Sequence, residues 1–413
     1  MEAFPEVRRQ AEKVGVKVEN HYDFESVPSR LGTESVKWDE FEPDALPMWV
    51  ADMDFPAAPE IMDALRARLE HGVFGYELIP DDYFEAVSSW FSSRHGWDGI
   101  VKENIIPTTG VIAAYSAAIK AMTQPGDGVI VMTPCYNAFF PAIRNNRCEA
   151  VHCPLHYENG LYSIDFEALE KAAMENRTTA LLLCNPHNPV GRVWTSEELL
   201  RVGEICLQHG VFVISDEIHC ELTSPGHDYT PWATLPEEMV KGSVSCISPT
   251  KAFNIAGIQI ANIYAREKEI ARKMNRAIND NECCDVNVFG VAALKAAYTK
   301  GAPWLDSLRA YLYENYLTVV NFLQRELPQI SCPPLEGTYL MWLDCRAANH
   351  PGEPLEGFSE RLQLHLRHNA KLILSTGTIY GPAGEGFERL NIACPRERLL
   401  EGLKRFKNGI KTF

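Results

Sequence analysis

The sequence predicts an α/β fold built on a mostly parallel sheet with helices on both faces. Four short apolar runs have the length of buried strands, at 129–133, 180–184, 211–215 and 243–247. Helical periodicity fills stretches between them, including 166–174 and 196–209. Strands of a parallel sheet are apolar throughout because helices cover both faces, so this alternation indicates such a sheet.

A change of pattern beyond residue 290 predicts a second, smaller α/β domain. A long helical stretch comes first, followed by an apolar strand at 338–343, a helix at 357–369 and a Gly-rich turn before RLNIAC. We therefore place a large domain at 50–290 and assign 1–49 together with 291–413 to the small domain.

Composition narrows the possible functions. The 413 residues are 46% hydrophobic, enough for a sizeable core, and 39 basic against 55 acidic residues give a net charge of −16. A nucleic-acid partner is disfavoured, because binding to phosphates needs a clustered basic surface. The N-terminus shows no apolar signal segment and no run of 18 apolar residues occurs, so we expect a cytoplasmic protein that binds small molecules and not membranes.

The 12 cysteines favour reduced, buried thiols over a disulfide framework, because they are scattered without regular spacing in apolar contexts. Two small groups resemble metal ligands: the HCPLH stretch with His152, Cys153 and His156, and the neighbours His219 and Cys220. Neither has a second cluster at the spacing of a zinc site, so we expect no metal.

Four segments that follow strand-like runs carry residues suited to a phosphate-bearing cofactor. In the first, TTGVIAAYSAAIKAM, Gly110 precedes a helical pattern. The N-terminus of a helix presents free N–H groups and a partial positive charge, which can hold a phosphate. A glycine before a helix is more often an ordinary turn, so this signal is weak by itself.

The second segment, CNPHNPVGR, contains Asn188, and the third, VFVISDEIHC, places Asp216 at the end of a buried strand. Asn188 could donate a hydrogen bond to a phenolate oxygen, whereas a tight loop explains Asn185 and the prolines. A buried carboxylate needs a cation or a metal, and Asp216 suits a protonated pyridine nitrogen. The rival interpretation, an aspartate that binds Mg²⁺ beside a nucleotide, lacks the accompanying GxxxxGK(S/T) loop.

The fourth segment, SCISPTKAFNIAGIQ, puts Ser248 and Thr250 just before Lys251. A lysine in a nearly dry, cation-lined pocket becomes a nucleophile that forms Schiff bases, and hydroxyl groups can bind phosphate oxygens. A single lysine after a strand is usually a solvated surface residue. Its position 35 residues after Asp216, one strand further along, favours the cofactor interpretation.

Together these segments resemble the fold-type I enzymes that use pyridoxal 5'-phosphate (PLP), of the class I/II aminotransferase kind. Among them the chain is most similar to the MalY/PatB-type carbon–sulfur lyases, or cystathionine β-lyases. Besides NPHNPVG, SDEIH and SPTKAFNIAG, the resemblance covers VKWD, PMWVADMDFP, TPCYNAFF, EGTYLMWLD and RLNIACPR along nearly the whole chain. His219 stands three residues after Asp216, where many aminotransferases have tyrosine, and this SDEIH form is typical of the lyase group.

The resemblance implies a role for each of four polar residues. Lys251 would carry PLP as a Schiff base and later move the Cα proton of the substrate. Asp216 would pair with the pyridine nitrogen, and Asn188 would bond the 3'-oxygen of the cofactor. Arg389 would clamp the substrate α-carboxylate with the bidentate geometry of a guanidinium.

Further cofactor contacts are implied around these four residues. Tyr136 would stack on the pyridine face and His219 would donate to the 3'-oxygen in place of a phenol, although either is also compatible with a packed core residue. The phosphate would be held by a set of backbone and hydroxyl groups: Gly110, Val111, Ile112, Ser248, Thr250 and, from a second copy of the chain, Tyr76. Because related active sites lie between subunits, the resemblance implies a homodimer with a shared site.

The resemblance implies β-elimination, in which a thioether amino acid such as cystathionine gives a thiol, pyruvate and ammonia. Transamination of an L-amino acid is the alternative, because the same residues would then return a proton to the cofactor instead. A third hypothesis is that the chain also binds a transcription regulator, as some relatives do. The residues named above do not decide between elimination and transamination, and they do not identify the preferred substrate.

Overall fold

The structure of the protein is a computed structural model that describes residues 22–280 and 285–413. The strands in these ranges are β1 Leu46–Pro47, β2 Ile105–Thr108, β3 Gly128–Thr133, β4 Glu149–Pro154, β5 His156–Glu158, β6 Leu161–Ser163, β7 Thr178–Cys184, β8 Phe212–Asp216, β9 Ser243–Ile247, β10 Ala261–Tyr264, β11 Leu340–Asp344, β12 Leu372–Ile373, β13 Ser375–Thr376 and β14 Phe387–Asn391. The helices are α1 Val36–Asp39, α2 Pro59–His71, α3 Asp81–His95, α4 Val111–Met122, α5 Phe139–Asn145, α6 Phe166–Ala173, α7 Ser196–His209, α8 Glu237–Val240, α9 Lys268–Asn279, α10 Val288–Lys300, α11 Ala302–Glu326, α12 Phe358–Ala370 and α13 Arg396–Thr412.

Seven strands form the central sheet, in the order β2, β10, β9, β8, β7, β3 and β4. Strand β10 is antiparallel to both of its neighbours, and the other pairs are parallel. The four apolar runs of the sequence are strands β3, β7, β8 and β9, which are buried along almost their whole length. The predicted α/β class with a mostly parallel sheet is confirmed.

Apolar side chains fill both faces of this sheet. Along β3, Val129 and Val131 belong to the cluster formed with α4 and α9, whereas Ile130 and Met132 belong to the cluster on the opposite face. Successive side chains of a strand point to opposite faces, so a strand that is packed on both sides must be apolar at every position. Because β3, β7, β8 and β9 are parallel, their carboxyl ends meet at one edge of the sheet, and the loops that follow them form a common surface.

The C-terminal part of the chain contains a three-stranded antiparallel sheet in the order β11, β14, β13. The predicted long helical stretch is two helices, α10 and α11, separated by Gly301. Strand β1 pairs in parallel with β12, which attaches residues 46–47 to the C-terminal part. This pairing agrees with the predicted small domain, although the boundaries at residues 49, 50, 290 and 291 stay a prediction, and residues 1–21 lie outside the described ranges.

Segment 49–55, with the sequence WVADMDF, runs between the central sheet and the C-terminal part. On one side, the Asn391 amide nitrogen donates to the carbonyls of Val50 and Asp52, both at 2.6 Å. On the other side, the Asn254 amide nitrogen donates to the carbonyls of Met53 at 3.0 Å and Phe55 at 2.7 Å. The backbone of this segment is thus held from both halves of the molecule.

A buried cluster of charged side chains contacts segment 49–55 through Asp54. The Asp54 carboxylate accepts hydrogen bonds from Lys37 Nζ at 3.0 Å, Trp38 Nε1 at 3.0 Å and Arg398 at 2.7 Å. Burial alone would raise the pKa of Asp54, but Lys37 and Arg398 bring this pKa below its ordinary value. The Lys37 and Asp54 side chains are each 1% exposed, so removing one charge leaves the other buried with fewer partners.

Within the described residues, all ten cysteines are free and nine of them are buried, which agrees with the predicted reduced thiols. None of the helices described here combines the length and the apolar character needed to cross a membrane. One described group has the geometry of metal ligands: His95, Cys220 and Glu221. Its carboxylate already accepts from Trp90 Nε1 at 2.6 Å and Arg94 Nε at 3.1 Å, so hydrogen bonds and an ion pair explain the group.

The contribution of the ion cluster to the free energy of unfolding can be tested by substituting Asp54. We expect Asp54→Asn to lower the free energy of unfolding at pH 7 by about 3 kcal/mol, because Lys37 loses its closest carboxylate. The lowered pKa of Asp54 means that its contribution is present above its unfolded pKa and is lost as pH falls through its folded pKa. Urea unfolding of both proteins should therefore show a difference that shrinks toward acid pH.

The matched control for this test is Asp63→Asn, which removes an exposed ion pair with Arg66. It should change the free energy of unfolding by less than about 1 kcal/mol. Equal effects of the two substitutions would show that the buried cluster does not stabilise the fold.

Candidate active site

A cavity of about 400 Å³ opens at the carboxyl edge of the central sheet. Nine of the residues predicted from the sequence line it: Gly110, Val111, Ile112, Tyr136, Asn188, Asp216, His219, Thr250 and Lys251. Eight others complete the lining: Ala51, Thr109, Ala113, Tyr115, Cys184, Ile218, Ala256 and Gln259. The four sequence segments thus converge on one site.

One end of the cavity is the N-terminus of α4. Gly110 precedes the helix, and its first turn carries no acidic residue. The first N–H groups of a helix lack acceptors within it, so those of Val111 and Ile112 are available to an anion. A Cβ atom at Gly110 would meet none of the described atoms within 4 Å, so the space beside this glycine is open.

Ser248 is buried beside Thr250 and is not among the residues that line the cavity. Its hydroxyl donates to the carbonyl of Ile260 at 2.7 Å and accepts from the backbone N–H of Thr250 at 3.1 Å. A serine has one hydroxyl proton, so the 2.8 Å contact between the two hydroxyls makes Thr250 the donor. Of the two hydroxyls predicted to hold a phosphate, Thr250 lies at the cavity and Ser248 supports it from behind.

Asp216 ends β8 with a buried carboxylate that accepts from the backbone N–H of Ile218 at 3.2 Å. Burial, with a further contribution from Glu217, raises the pKa of Asp216 to about 7, although Ile218 and Lys251 act in the opposite direction. A carboxylate that is costly to ionise in a cavity gains most from a cationic partner placed inside that cavity.

The Lys251 amine donates to the carbonyl oxygen of Ala51 at 2.5 Å. Burial and the positive charge of Arg389 lower the pKa of Lys251 to about 8, against the opposite effects of Asp52 and Asp216. The neutral amine is therefore accessible near neutral pH, as a nucleophile or a proton acceptor requires.

Arg389 projects from β14 and lies beside the cavity, behind Asn188. Its guanidinium donates to Asn188 Oδ1 at 3.1 Å and to the Trp49 carbonyl at 2.8 Å, and its buried Nε has no partner among the described residues. The Tyr380 ring lies 4.9 Å from the guanidinium carbon. Because Arg389 occupies the amide oxygen of Asn188, the amide NH₂ of Asn188 is left to donate into the cavity.

The two aromatic residues predicted at the cofactor are both uncharged near neutral pH. Burial raises the pKa of Tyr136 to about 12, and its ring packs edge-to-face on Phe139 with centroids 5.8 Å apart. Burial, then the charges of Lys251 and Arg389, lower the pKa of His219 to about 3. The buried Nδ1 of His219 has no hydrogen-bond partner in the described structure, which leaves this atom available to a ligand.

Tyr76 lies outside the cavity, and its side chain is 99% exposed. Val73, Phe74 and Leu78 in the same loop are also exposed. Ile112, at the mouth of the cavity, is half exposed. Exposed apolar side chains of this kind are typical of a surface that another chain covers.

Among the residues that sequence reasoning missed, three bear on the chemistry of the site: Ala51 and Tyr115, which line the cavity, and Tyr339, which contacts Ala51. Ala51 contributes a carbonyl oxygen, which no side-chain motif reveals, although it lies within the quoted PMWVADMDFP stretch. Tyr115 lines the cavity with a buried hydroxyl that has no partner in the part of the chain that the structure describes, but in the sequence it is one apolar position of helix α4. Tyr339 donates to the Ala51 carbonyl at 2.8 Å and lies in the EGTYLMWLD stretch, where its aromatic ring reads as core.

The residues at this cavity fit PLP. A helix N-terminus and Thr250 suit a phosphate, Asp216 suits a cationic ring nitrogen, and the Lys251 amine suits an aldehyde. The unpartnered atoms His219 Nδ1 and Tyr115 Oη add hydrogen-bonding capacity that the protein alone leaves unused.

The sequence matches the family of class I and II aminotransferases over residues 47–406. Cystathionine beta-lyase PatB of Bacillus subtilis (strain 168) is 43% identical to this chain, over 94% of this chain and 100% of the relative. Protein MalY of Escherichia coli (strain K12) is 34% identical, over 95% and 99%. Among solved structures, cystalysin from Treponema denticola, which contains pyridoxal 5'-phosphate, matches with a TM-score of 0.90 at 35% identity, over 95% of this chain and 99% of that one. The chain therefore belongs to the class I and II aminotransferase family of PLP-dependent enzymes, in the group of carbon–sulfur lyases that includes PatB.

Proposed function

We propose that the protein cleaves the Cβ–S bond of a thioether amino acid of the cystathionine type. The substrate and one water molecule give a thiol, pyruvate and ammonia. The observation that supports this most directly is the Lys251 amine, with a pKa of about 8, in one cavity with Asp216 and Asn188. The full-length likeness to a cystathionine beta-lyase favours elimination over transamination.

PLP, when bound, supplies an electron sink that makes the Cα proton of the substrate acidic and lets the β-substituent leave. The residues of this chain hold it and direct its chemistry. The N–H groups at the start of α4, with Thr250, bind the phosphate. Asp216 keeps the ring nitrogen protonated, and the Asn188 amide and the neutral His219 donate to the 3'-oxygen. Tyr136 covers the ring and excludes water.

The substrate is positioned by Arg389 and deprotonated by Lys251. The guanidinium binds the α-carboxylate, which places the Cα–H bond beside the lysine amine. Lys251 removes the Cα proton, and its protonated form is then a proton donor for the departing sulfur. Loss of the thiolate leaves a three-carbon unit that hydrolyses to pyruvate and ammonia.

The reaction itself is the main test. The purified protein with PLP should release thiol and pyruvate in equal amounts from L-cystathionine, measured with a thiol reagent and a coupled pyruvate assay. Lys251→Ala should lower this rate by about a thousandfold or more, because both the covalent anchor and the base are lost. Production of a ketoacid without free thiol would instead identify an aminotransferase.

A second test uses the titration of Asp216 in the protein freed of PLP. The pKa of Asp216 is raised from 3.8 to about 7, so its contribution to stability is fully present below its unfolded pKa and is lost as pH rises through 7. We expect Asp216→Asn to remove this loss and to gain about 2–4 kcal/mol relative to the wild type between pH 4 and pH 8. Urea unfolding across this pH range measures the difference in free energy of unfolding between the two proteins. If that difference does not change with pH, Asp216 does not have a raised pKa.

We also propose that two chains form a homodimer in which Tyr76 reaches the phosphate in the partner's site. The support is the exposed apolar loop around Tyr76 and the half-exposed Ile112 at the mouth of the cavity. A fully exposed tyrosine flanked by apolar side chains is costly in water and favourable at an interface.

Mixed dimers test this shared site. Tyr76→Ala and Lys251→Ala should each be nearly inactive as pure proteins. After unfolding and refolding together, about a quarter of the sites should regain both native residues, because half of the dimers are mixed and each has one intact site. Recovery of activity, measured against refolded wild type, is the expected result. No recovery in a preparation that contains mixed dimers would show that Tyr76 does not serve the partner's site.

We propose that residues 50–290 form the domain that binds PLP and that 1–49 with 291–413 form the small domain. The whole central sheet, from residue 105 to residue 264, falls within the first range. The pairing of β1 with β12 supports the second. The buried free thiols support a reducing, cytoplasmic location.

A further inference from the structure

We propose that Tyr339 is a positioning residue that sets the basicity and direction of the Lys251 amine through a shared acceptor, the carbonyl of Ala51. The inference rests on the proposed function, in which Lys251 moves the Cα proton. Tyr339 lies outside the lining of the cavity, so its effect is exerted through Ala51 and not on the substrate.

Two donors converge on one oxygen. Lys251 Nζ donates to the Ala51 carbonyl at 2.5 Å, and the Tyr339 hydroxyl donates to the same oxygen at 2.8 Å. Ala51 lines the cavity, whereas Tyr339 is 1% exposed. The carbonyl therefore stands between a fixed donor on the protein side and a movable donor on the cavity side.

Because the Ala51 carbonyl accepts from two donors, it favours the ammonium form of Lys251 less strongly than it would with Lys251 alone. A carbonyl oxygen accepts a stronger hydrogen bond from an ammonium than from a neutral amine, which raises the pKa of the amine. The second donor, Tyr339, draws on the same electron density and weakens that bond. With the hydroxyl in place, Lys251 is held in direction by the carbonyl while remaining easier to deprotonate.

The carbonyl of Ala51 cannot turn away to relieve this competition. The carbonyls on either side of it, those of Val50 and Asp52, both accept from the Asn391 amide nitrogen at 2.6 Å. The Ala51 peptide is thereby fixed between two tethered neighbours, and its oxygen points at Lys251 and Tyr339.

Tyr339 is fixed just as firmly by the residue before it. Thr338 has φ of 73°, in the left-handed region that a β-branched residue rarely adopts. Its N–H donates to the Leu222 carbonyl at 2.7 Å, and its hydroxyl accepts from the N–H of Leu340 at 3.1 Å. A disfavoured conformation that several hydrogen bonds enforce is typical of a functional constraint, and here it directs the Tyr339 ring toward Ala51.

Other charged groups near Lys251 also affect its pKa. Arg389 favours the neutral amine, and Asp52 and Asp216 favour the ammonium. Asp52 is itself paired with Arg30 at 2.6 Å. The nearby ring of His219 lies 6.1 Å from that of Tyr339 and stays neutral near pH 7. Removal of the Tyr339 hydroxyl leaves all of these charges in place, so the resulting change in the pKa of Lys251 can be attributed to the hydroxyl.

The test measures the ionisation of Lys251 in Tyr339→Phe, which keeps the ring and removes the donor. In protein freed of PLP, Lys251 is labelled by reductive methylation at a series of pH values, and the peptide that contains it is quantified by mass spectrometry. The midpoint of labelling should rise by about 0.5–1 pH unit, because the ammonium gains sole use of the Ala51 carbonyl. In the PLP-loaded enzyme, kcat should fall several-fold with its acid limb shifted upward, while KM stays within about twofold.

The matched control is Tyr83→Phe, which also removes a buried hydroxyl bond, from Tyr83 to Asn262 at 2.8 Å, away from the cavity. Its Lys251 midpoint should equal that of the wild type. Replacement of Tyr339 by 3-fluorotyrosine, a stronger donor, should shift the midpoint downward and so opposite to Tyr339→Phe.

An unchanged midpoint in both Tyr339 variants would overturn the proposal, and so would shifts of the same sign. If Tyr339→Phe does not fold, the 3-fluorotyrosine protein decides alone, because it keeps the hydroxyl bond. The labelling needs neither substrate nor turnover. Absence of thiol release from cystathionine would therefore refute the proposed function without affecting this result.

Discussion

The buried charges of Lys37 and Asp54 are the constraint on which the site depends, because they fix a stretch of backbone that the catalytic groups use as their reference. Segment 49–55 has no regular secondary structure, and its carbonyls need partners. The Trp49 carbonyl receives Arg389, and the Ala51 carbonyl receives Lys251. The ion cluster at Asp54 helps to keep these two carbonyl acceptors in place, and they in turn orient the side chains of Arg389 and Lys251.

The central sheet supplies the rest of the site by topology. Parallel strands packed on both faces end at a single edge, so residues far apart in sequence arrive together without any direct attraction between them. Asn188 follows β7, Asp216 ends β8 and Lys251 follows β9, which are adjacent in the sheet. The antiparallel β10 lies beyond β9 and takes the chain away from this edge.

Sequence reasoning predicted what depends on apolar runs and on the side chains that end them, which includes the sheet and its three polar residues Asn188, Asp216 and Lys251. It could not predict contacts made by backbone atoms, such as the Ala51 carbonyl, because these leave no pattern in the side chains. It also could not distinguish the surroundings of Ser248 from those of Thr250, since two hydroxyls two residues apart look equivalent in sequence and only the structure shows that Ser248 donates to the Ile260 carbonyl. The role proposed for Tyr76 in a second chain's site was indicated only by the resemblance to a family, and its 99% exposure is compatible with that proposal.

The positions of Arg389, Asn188 and Lys251 couple substrate binding to the strength of the base. The charge of Arg389 helps to keep the pKa of Lys251 near 8. In the proposed function, a substrate carboxylate that binds the guanidinium would offset this charge, so the Lys251 amine would become more basic when a substrate is in place. Arg389 also donates to the amide oxygen of Asn188, so the same binding event would affect the residue proposed to donate to the 3'-oxygen of the cofactor. Under the proposed function, the Lys251 amine released from the cofactor would be a stronger base beside a bound substrate carboxylate than without one, which would favour proton removal from the correct substrate.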